Sequence, residues 1–217
     1  MGRYRVILAD PPWPHDNYRD TKHGAARAHY QPMSLDSIKA LPVANLADDR
    51  AMLFLWTTAV AAAEGWHSDV MRAWGFEPKT LGFVWNKVYS SGNPYCGLGR
   101  YTRSGVELCF LGRRGKWWRE DAGVYQVFTA PRADRHSQKP PTAHKRIETL
   151  LGDVPRIELF ARTRREGWDA HGLEAPGWVV ALNSGKLTGT DAGTDANILE
   201  THTTERSRDG TTSMVDG

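Results

Sequence analysis

The chain has 217 residues, 40% hydrophobic and 24% charged, enough apolar content for one buried core and too much for wholesale disorder. Its 28 Lys and Arg outnumber its 25 Asp and Glu, yet six of the acids and only three of the bases lie beyond residue 183. A mildly basic body with an acidic tail allows a polyanionic partner without demanding one. No apolar run approaches the ~20 residues of a membrane-spanning helix, and the N-terminus lacks a signal-peptide pattern, so no membrane association and a cytoplasmic location are expected.

Residues 4–9 (YRVILA) form a short apolar run that reads as a strand and ends at Asp-Pro-Pro. Ser34 is placed to cap a helix carrying Leu35, Ile38 and Leu41 on one face. Residues 51–56 (AMLFLW) are wholly apolar, as in a strand buried on both faces. Residues 59–74 place Val60, Ala63, Val70, Met71 and Trp74 at helical spacing and predict one helix. Strands are predicted at 81–85 and 106–111. Residues 139–151 open with prolines and put Ala143, Ile147, Leu150 and Leu151 on one face, a helix stopped by Gly152. Strands at 156–161 (RIELFA) and 178–182 (WVVAL) complete the pattern.

This alternation predicts an α/β fold, a mostly parallel sheet with helices on both faces, in a domain spanning 1–183. Residues 184–217, rich in Thr, Gly and Asp, read as a disordered acidic tail. In such sheets ligands collect at the carboxyl ends of strands, so the loops after Ala9, Trp56, Trp85 and Ala161 are the places to look for chemistry. Cys96 and Cys109 belong to no CxxC pair and read as free thiols in or near the core. The eight histidines form no HxH, HxxE or Cys/His cluster, and no metal is expected.

Asp10-Pro11-Pro12-Trp13 directly follows the first predicted strand. Two prolines hold the backbone extended and remove two N–H donors, leaving carbonyls around Asp10 and Pro11 to accept. A carboxylate and a fixed carbonyl aimed at one point suit an exocyclic amine, which has two hydrogens to give. An aromatic face nearby suits stacking against a planar base. Acceptors on the amine would hold its nitrogen lone pair toward an incoming electrophile.

With the blocks VILADPPW at 6–13, HYQPMSLDSI at 29–38, AMLFLWTT at 51–58, VWNK at 84–87, GRYTRSGVELCFLGRRG at 99–115, RHSQKP at 135–140 and RIELFARTRREGW at 156–168, the chain resembles a family of adenine-N6 methyltransferases. That family is related to the catalytic subunit of the eukaryotic mRNA adenosine methyltransferase, and its bacterial and phage members act on DNA. The resemblance runs from about Val6 to Glu174 and implies a Rossmann-like class I methyltransferase fold with a circularly permuted motif order, catalytic motif first and cofactor strand last.

The resemblance further implies S-adenosylmethionine as methyl donor. Asp10 would face its methionine ammonium, Ser137 and Lys139 would hold its carboxylate, Arg162 would orient it, and Glu174 would bond the ribose hydroxyls. Leu173 stands where relatives usually carry Asn, and Arg164 and Arg165 replace His and Asn of eukaryotic members. Asp10, Pro11, Pro12 and Trp13 would be catalytic, with Tyr30, Tyr101, Arg103 and Glu107 on the target side. The long loop 88–104 interleaves Tyr95 and Tyr101 with Arg100 and Arg103, a pattern suited to an unstacked base and its phosphates. Residues 112–120 (GRRGKWWRE) read as a basic hairpin-like grip on phosphates, while Trp56 and Trp85 serve a site or a core role equally well. DNA is the expected substrate on this reading, with RNA as the alternative enzyme substrate. A catalytically silent nucleic-acid-binding subunit is the alternative of a different class, and a partner chain or homodimer is left open.

Overall fold

Strand β1 (Tyr4–Ala9) lies inside a sheet and is paired on both sides, which explains why its residues are apolar almost throughout. The structure is a computed structural model that describes residues 3–14, 32–97, 101–132 and 138–172. Among the described residues β1 is joined by β2 (Ala47–Thr57), β3 (Glu77–Val88), β4 (Val106–Arg114), β5 (Val127–Pro131), β6 (Arg156–Leu159) and β7 (Asp169–His171), in the order β5-β3-β4-β2-β1-β6-β7. Pairs β1–β2, β1–β6, β6–β7 and β3–β5 are parallel, and only β4 runs against its neighbours β2 and β3. The carboxyl ends of six strands and the amino end of β4 therefore share one edge of the sheet. This is a Rossmann-like α/β fold.

Side chains alternate across β1 and β2 into two cores, as the pleat requires. Ile7, Ala9, Leu53 and Leu55 face α1 (Leu35–Lys39) and α3 (Trp66–Ala73), burying Ile38, Val70, Met71 and Trp74. Val6, Leu8, Phe54 and Trp56 face α4 (Pro141–Leu151), burying Ala143, Ile147 and Leu151. Ser34 caps α1 through its hydroxyl, which accepts from the Ser37 N–H at 3.1 Å. The predicted face of α4 is the buried one, with His144 added to it.

The single helix predicted at 59–74 is two. Thr58 caps α2 (Ala59–Ala63), its hydroxyl accepting from the Ala61 N–H, and Gly65 at φ +75° then breaks the helical path. That left-handed step, open to glycine at little cost, rotates the buried face. Ala61 is buried, whereas Val60 and Ala63 are exposed. The predicted strands extend beyond their apolar centres, since β3 begins at Glu77 and β4 ends at Arg114. By contrast β6 stops at Leu159 because Phe160 takes φ +61°, which turns the chain at the edge. Strands β5 and β7 had no apolar signature to announce them. Cys109 is buried, but Cys96 is exposed rather than near the core. The strand predicted at 178–182 and the tail at 184–217 lie outside the described residues. No helix among the described residues is long and apolar enough to cross a membrane.

Candidate active site

Asp10 is the first residue beyond β1, so its carboxylate stands at the shared edge. Glu107 reaches the same edge from the opposite chain direction, as the second residue of antiparallel β4. Lys139 enters from the turn before α4 and joins the two acids: its Nζ lies 2.5 Å from Asp10 Oδ2 and 3.0 Å from Glu107 Oε2. Lys87, near the end of β3, closes the set with its Nζ 2.5 Å from the other Glu107 oxygen. Two carboxylates and two ammonium groups thus form a neutral chain, Asp10–Lys139–Glu107–Lys87. The Lys139 side chain is only 7% exposed, while Asp10 at 26% is the member most open to solvent.

Burial pushes the Asp10 carboxyl above its usual range, against the pull of Lys139 and Arg162 and with the repulsion of Glu107. Burial acts the same way on Glu107, but there the Lys139 and Lys87 charges win and hold it below the usual range. Burial works against the Lys139 charge, and the two carboxylates outweigh it, so the ammonium is held above an ordinary lysine. Burial pushes the neighbouring Cys109 thiol well up. The acid with the weakest hold on its charge is the one facing the opening.

The prolines after Asp10 hold the chain extended. The Pro11 carbonyl accepts from the Trp13 N–H at 2.8 Å, and the Pro12 carbonyl from the Met33 N–H at 2.9 Å. The Pro11 carbonyl is thus already engaged rather than free as expected from the sequence, although it keeps a second lone pair. Trp13 is 5% exposed, its Nε1 donating to the Trp56 carbonyl at 2.9 Å, so it forms a wall of the core rather than an open face. Trp56 and Trp85 are also buried, and the Lys139 and Lys87 ammonium groups lie 5.5 and 5.1 Å from their ring centres.

Beside Asp10 a cleft opens between β1 and β6, lined by Gln138, Lys139, Glu158, Phe160, Arg162, Thr163 and Arg165. Phe160, a non-glycine residue at positive φ, carries a strain of about 1–3 kcal/mol that shapes its floor. Glu158 is held from behind by the buried His144, whose Nε2 lies 2.8 Å from Oε2. Two carboxylates and three cations around one cleft suit a ligand carrying both an ammonium and a carboxylate. Among the described residues no group of three His, Cys, Asp or Glu is placed to hold a metal ion.

The MT-A70 family profile matches residues 4–174, most of the chain and all of this site. The chain belongs to the MT-A70 family. It is an adenine methyltransferase. It is similar to the type II methyltransferase M.MunI of a Mycoplasma species, at 34% identity over 80% of this chain and 78% of that one. It is also similar to the N6-methyladenosine RNA methyltransferase MTA1 of Cryphonectria parasitica, at 27% identity over 79% of this chain and 51% of that one. The N(6)-adenine-specific methyltransferase METTL4 of Homo sapiens is 24% identical over 79% of this chain and 37% of its own length.

Of the residues expected at an MT-A70 site, Asp10, Glu107, Lys139 and Arg162 come together at the edge. Lys139 bridges two protein carboxylates here instead of presenting an open ammonium. Tyr101, at 88% exposure, and Arg103 are exposed to solvent, close in the chain to Ser104, which bridges Gly97. Tyr30, Ser137 and Glu174 lie outside the described residues. Residues 112–120 do not make a hairpin at the site: β4 carries Arg113 and Arg114 to the opposite edge, where they meet Glu77 and the Ala44 carbonyl. Sequence reasoning passed over Lys87. Its signal was register, because Glu107 pairs with Trp85 and Lys87 lies two residues on, on the same face of β3.

Proposed function

We propose that this MT-A70 enzyme transfers a methyl group from S-adenosylmethionine to the exocyclic amine of adenine in DNA. The observation that carries this reading is the Asp10 carboxylate, partly open at the carboxyl end of β1 and pinned by Lys139 between the cleft and Glu107. The cleft's charges fit the amino-acid end of the donor, with Asp10 toward an ammonium and Arg162 toward a carboxylate. When bound, S-adenosylmethionine would supply an electrophilic methyl group, the S–C bonding pair staying on its sulfur as the neutral thioether leaving group.

The chain's own groups supply position and charge. Asp10 accepts a hydrogen bond from the adenine amine, which aims the nitrogen lone pair along the line of transfer. Its charge offsets the positive charge growing on that nitrogen. As the new N–C bond forms, the amine loses one proton, and a carboxyl held above its usual range is suited to take it on its way to solvent. Pro11 and Pro12 hold Asp10 at the edge, and Trp13 walls off the site. Glu107, kept ionised by two lysines, is a second acceptor near Asp10 and is suited to the other hydrogen of the amine. A base within a duplex must leave the stack to reach these groups, so a single strand or a flipped base is the form bound.

DNA rather than RNA is favoured by the similarity to M.MunI, which spans most of both chains, whereas the match to MTA1 covers half of that protein. Residues 1–183 form the catalytic unit on this reading. The test is transfer of isotopically labelled methyl from S-adenosylmethionine to matched adenine-containing DNA and RNA, single- and double-stranded. Label recovered as N6-methyladenine in DNA is the expected result. Label confined to RNA moves the assignment to RNA, and no label in any of the four overturns it.

A further inference from the structure

Just outside the ion-pair chain lies a small aromatic and cationic surface that the methyl-transfer chemistry does not use. Tyr95 is half-buried, and two cations lie over its ring, Lys87 at 5.8 Å and Arg132 at 5.3 Å from its centre. Tyr89 meets it edge-on with ring centres 5.3 Å apart and is 45% exposed. The same Lys87 ammonium touches Glu107, so the surface begins where the site ends. Among the described residues the Arg132 guanidinium meets the Tyr95 ring and no carboxylate, which leaves its charge available to a phosphate.

This surface is built rather than incidental. The Tyr95 N–H donates to the Lys87 carbonyl at 3.0 Å, and the Arg132 N–H to the Val88 carbonyl at 2.9 Å, fixing both residues to the end of β3. The Tyr89 N–H donates to Asn93, tightening the turn that carries its ring. Gly97 lets the Tyr95 ring lie against the backbone, since a Cβ there would sit 3.0 Å from Tyr95 Cε1 and 2.8 Å from the Ser104 carbonyl. Rigid rings beside a guanidinium that meets no acid among the described residues suit a base and its phosphate, because every base has a π-face and every linkage a negative charge.

We propose that Tyr95, held by Lys87 and Arg132 and bordered by Tyr89, is a stacking shelf for the nucleotide adjacent to the target adenine. The inference rests on the nucleic-acid methyl transfer proposed above. The shelf would hold the strand unstacked beside the site and so contribute to substrate binding, and it would read the presence of a neighbouring base more than its identity.

The test uses the full chain, S-adenosylmethionine, and single-stranded oligonucleotides with one adenine, whose 5′ or 3′ neighbour is either a base or an abasic residue. For the wild type, an abasic neighbour on one side raises KM roughly tenfold or more with kcat little changed. Tyr95→Ala raises KM for the intact oligonucleotide by a comparable factor and is then indifferent to the abasic residue. Tyr95→Phe restores both KM and the sensitivity, and Arg132→Gln gives a smaller rise in KM. Cofactor binding and the melting temperature of Tyr95→Ala, measured alongside, separate the shelf from a folding defect. A wild type indifferent to abasic neighbours on both sides, or a Tyr95→Ala variant that keeps wild-type KM and sensitivity, overturns the shelf. A wild type that binds S-adenosylmethionine but methylates no oligonucleotide overturns the underlying reading, and the shelf with it.

Discussion

The two edges of the sheet use the same kinds of side chain to opposite ends. At the carboxyl edge Lys139 lies over Trp56, and Lys87 over Trp85 and Tyr95. At the amino edge Arg5 lies over Trp118, 4.0 Å from its ring centre, with Arg50 nearby. The difference lies in what the cations hold. At the amino edge Arg114 donates to the Ala44 carbonyl and the Trp118 Nε1 to the Leu151 carbonyl, so charge and aromatic ring tie backbone segments together. At the carboxyl edge the lysines hold two carboxylates, one of them part-open beside a cleft. Cations on aromatic rings do not mark a site by themselves. Buried acids arranged so that one stays reactive do.

Substitutions can break this contrast. Asp10→Ala has the largest expected effect: methyl transfer falls by at least roughly a hundredfold to a thousandfold, the scale of losing one aimed group at the reacting atom, while calorimetric binding of S-adenosylmethionine changes far less. Wild-type turnover in that variant would remove Asp10 from the chemistry. Lys139→Met leaves two carboxylates facing each other with their shared cation gone, and should cost about 3 kcal/mol in chemical denaturation.

The pH dependence sharpens the contrast. Glu107 is held below its ordinary value of 4.5 in the folded chain, so it contributes stability above that pH which is lost as pH falls through its folded value. Denaturation from pH 6 down to about 3 should therefore show the wild type losing stability faster than Glu107→Gln. Parallel curves would disconnect Glu107 from the lysines. At the amino edge Arg114→Ala should cost about 1–2 kcal/mol for its hydrogen bond and leave KM for nucleic acid unchanged. A raised KM there would restore residues 112–120 as a phosphate grip. The smallest effect concerns the thiols. A thiol reagent at pH 8 should modify exposed Cys96 at once and buried Cys109 only on unfolding.

Much of this was legible in the chain. The apolar centres of β1, β2 and β4, the cap at Ser34 and the buried face of α4 follow from local rules that involve neighbours a few residues away. What escaped was either short or dependent on context. Strand β7 has three residues, and β5 alternates buried and exposed positions without an apolar run, so both exist because longer strands offer them an edge. The break at Gly65 turned on one backbone dihedral, which helical periodicity does not register.

The sequence by itself determined that Asp10, behind two prolines at the end of an apolar strand, would stand at a ligand-binding edge, because strand length, proline geometry and β/α alternation are set by local chemistry. Tertiary structure alone decided what Asp10 meets there. Its partner Lys139 is 129 residues away, and Glu107 arrives only because β4 runs backwards through an otherwise parallel sheet. The same reversal carries Arg114 about 23 Å away at ~3.3 Å per residue, so that an acid and a base close together in the sequence serve opposite edges. Charge pairing depends on distance in space, and only the assembled sheet sets that distance.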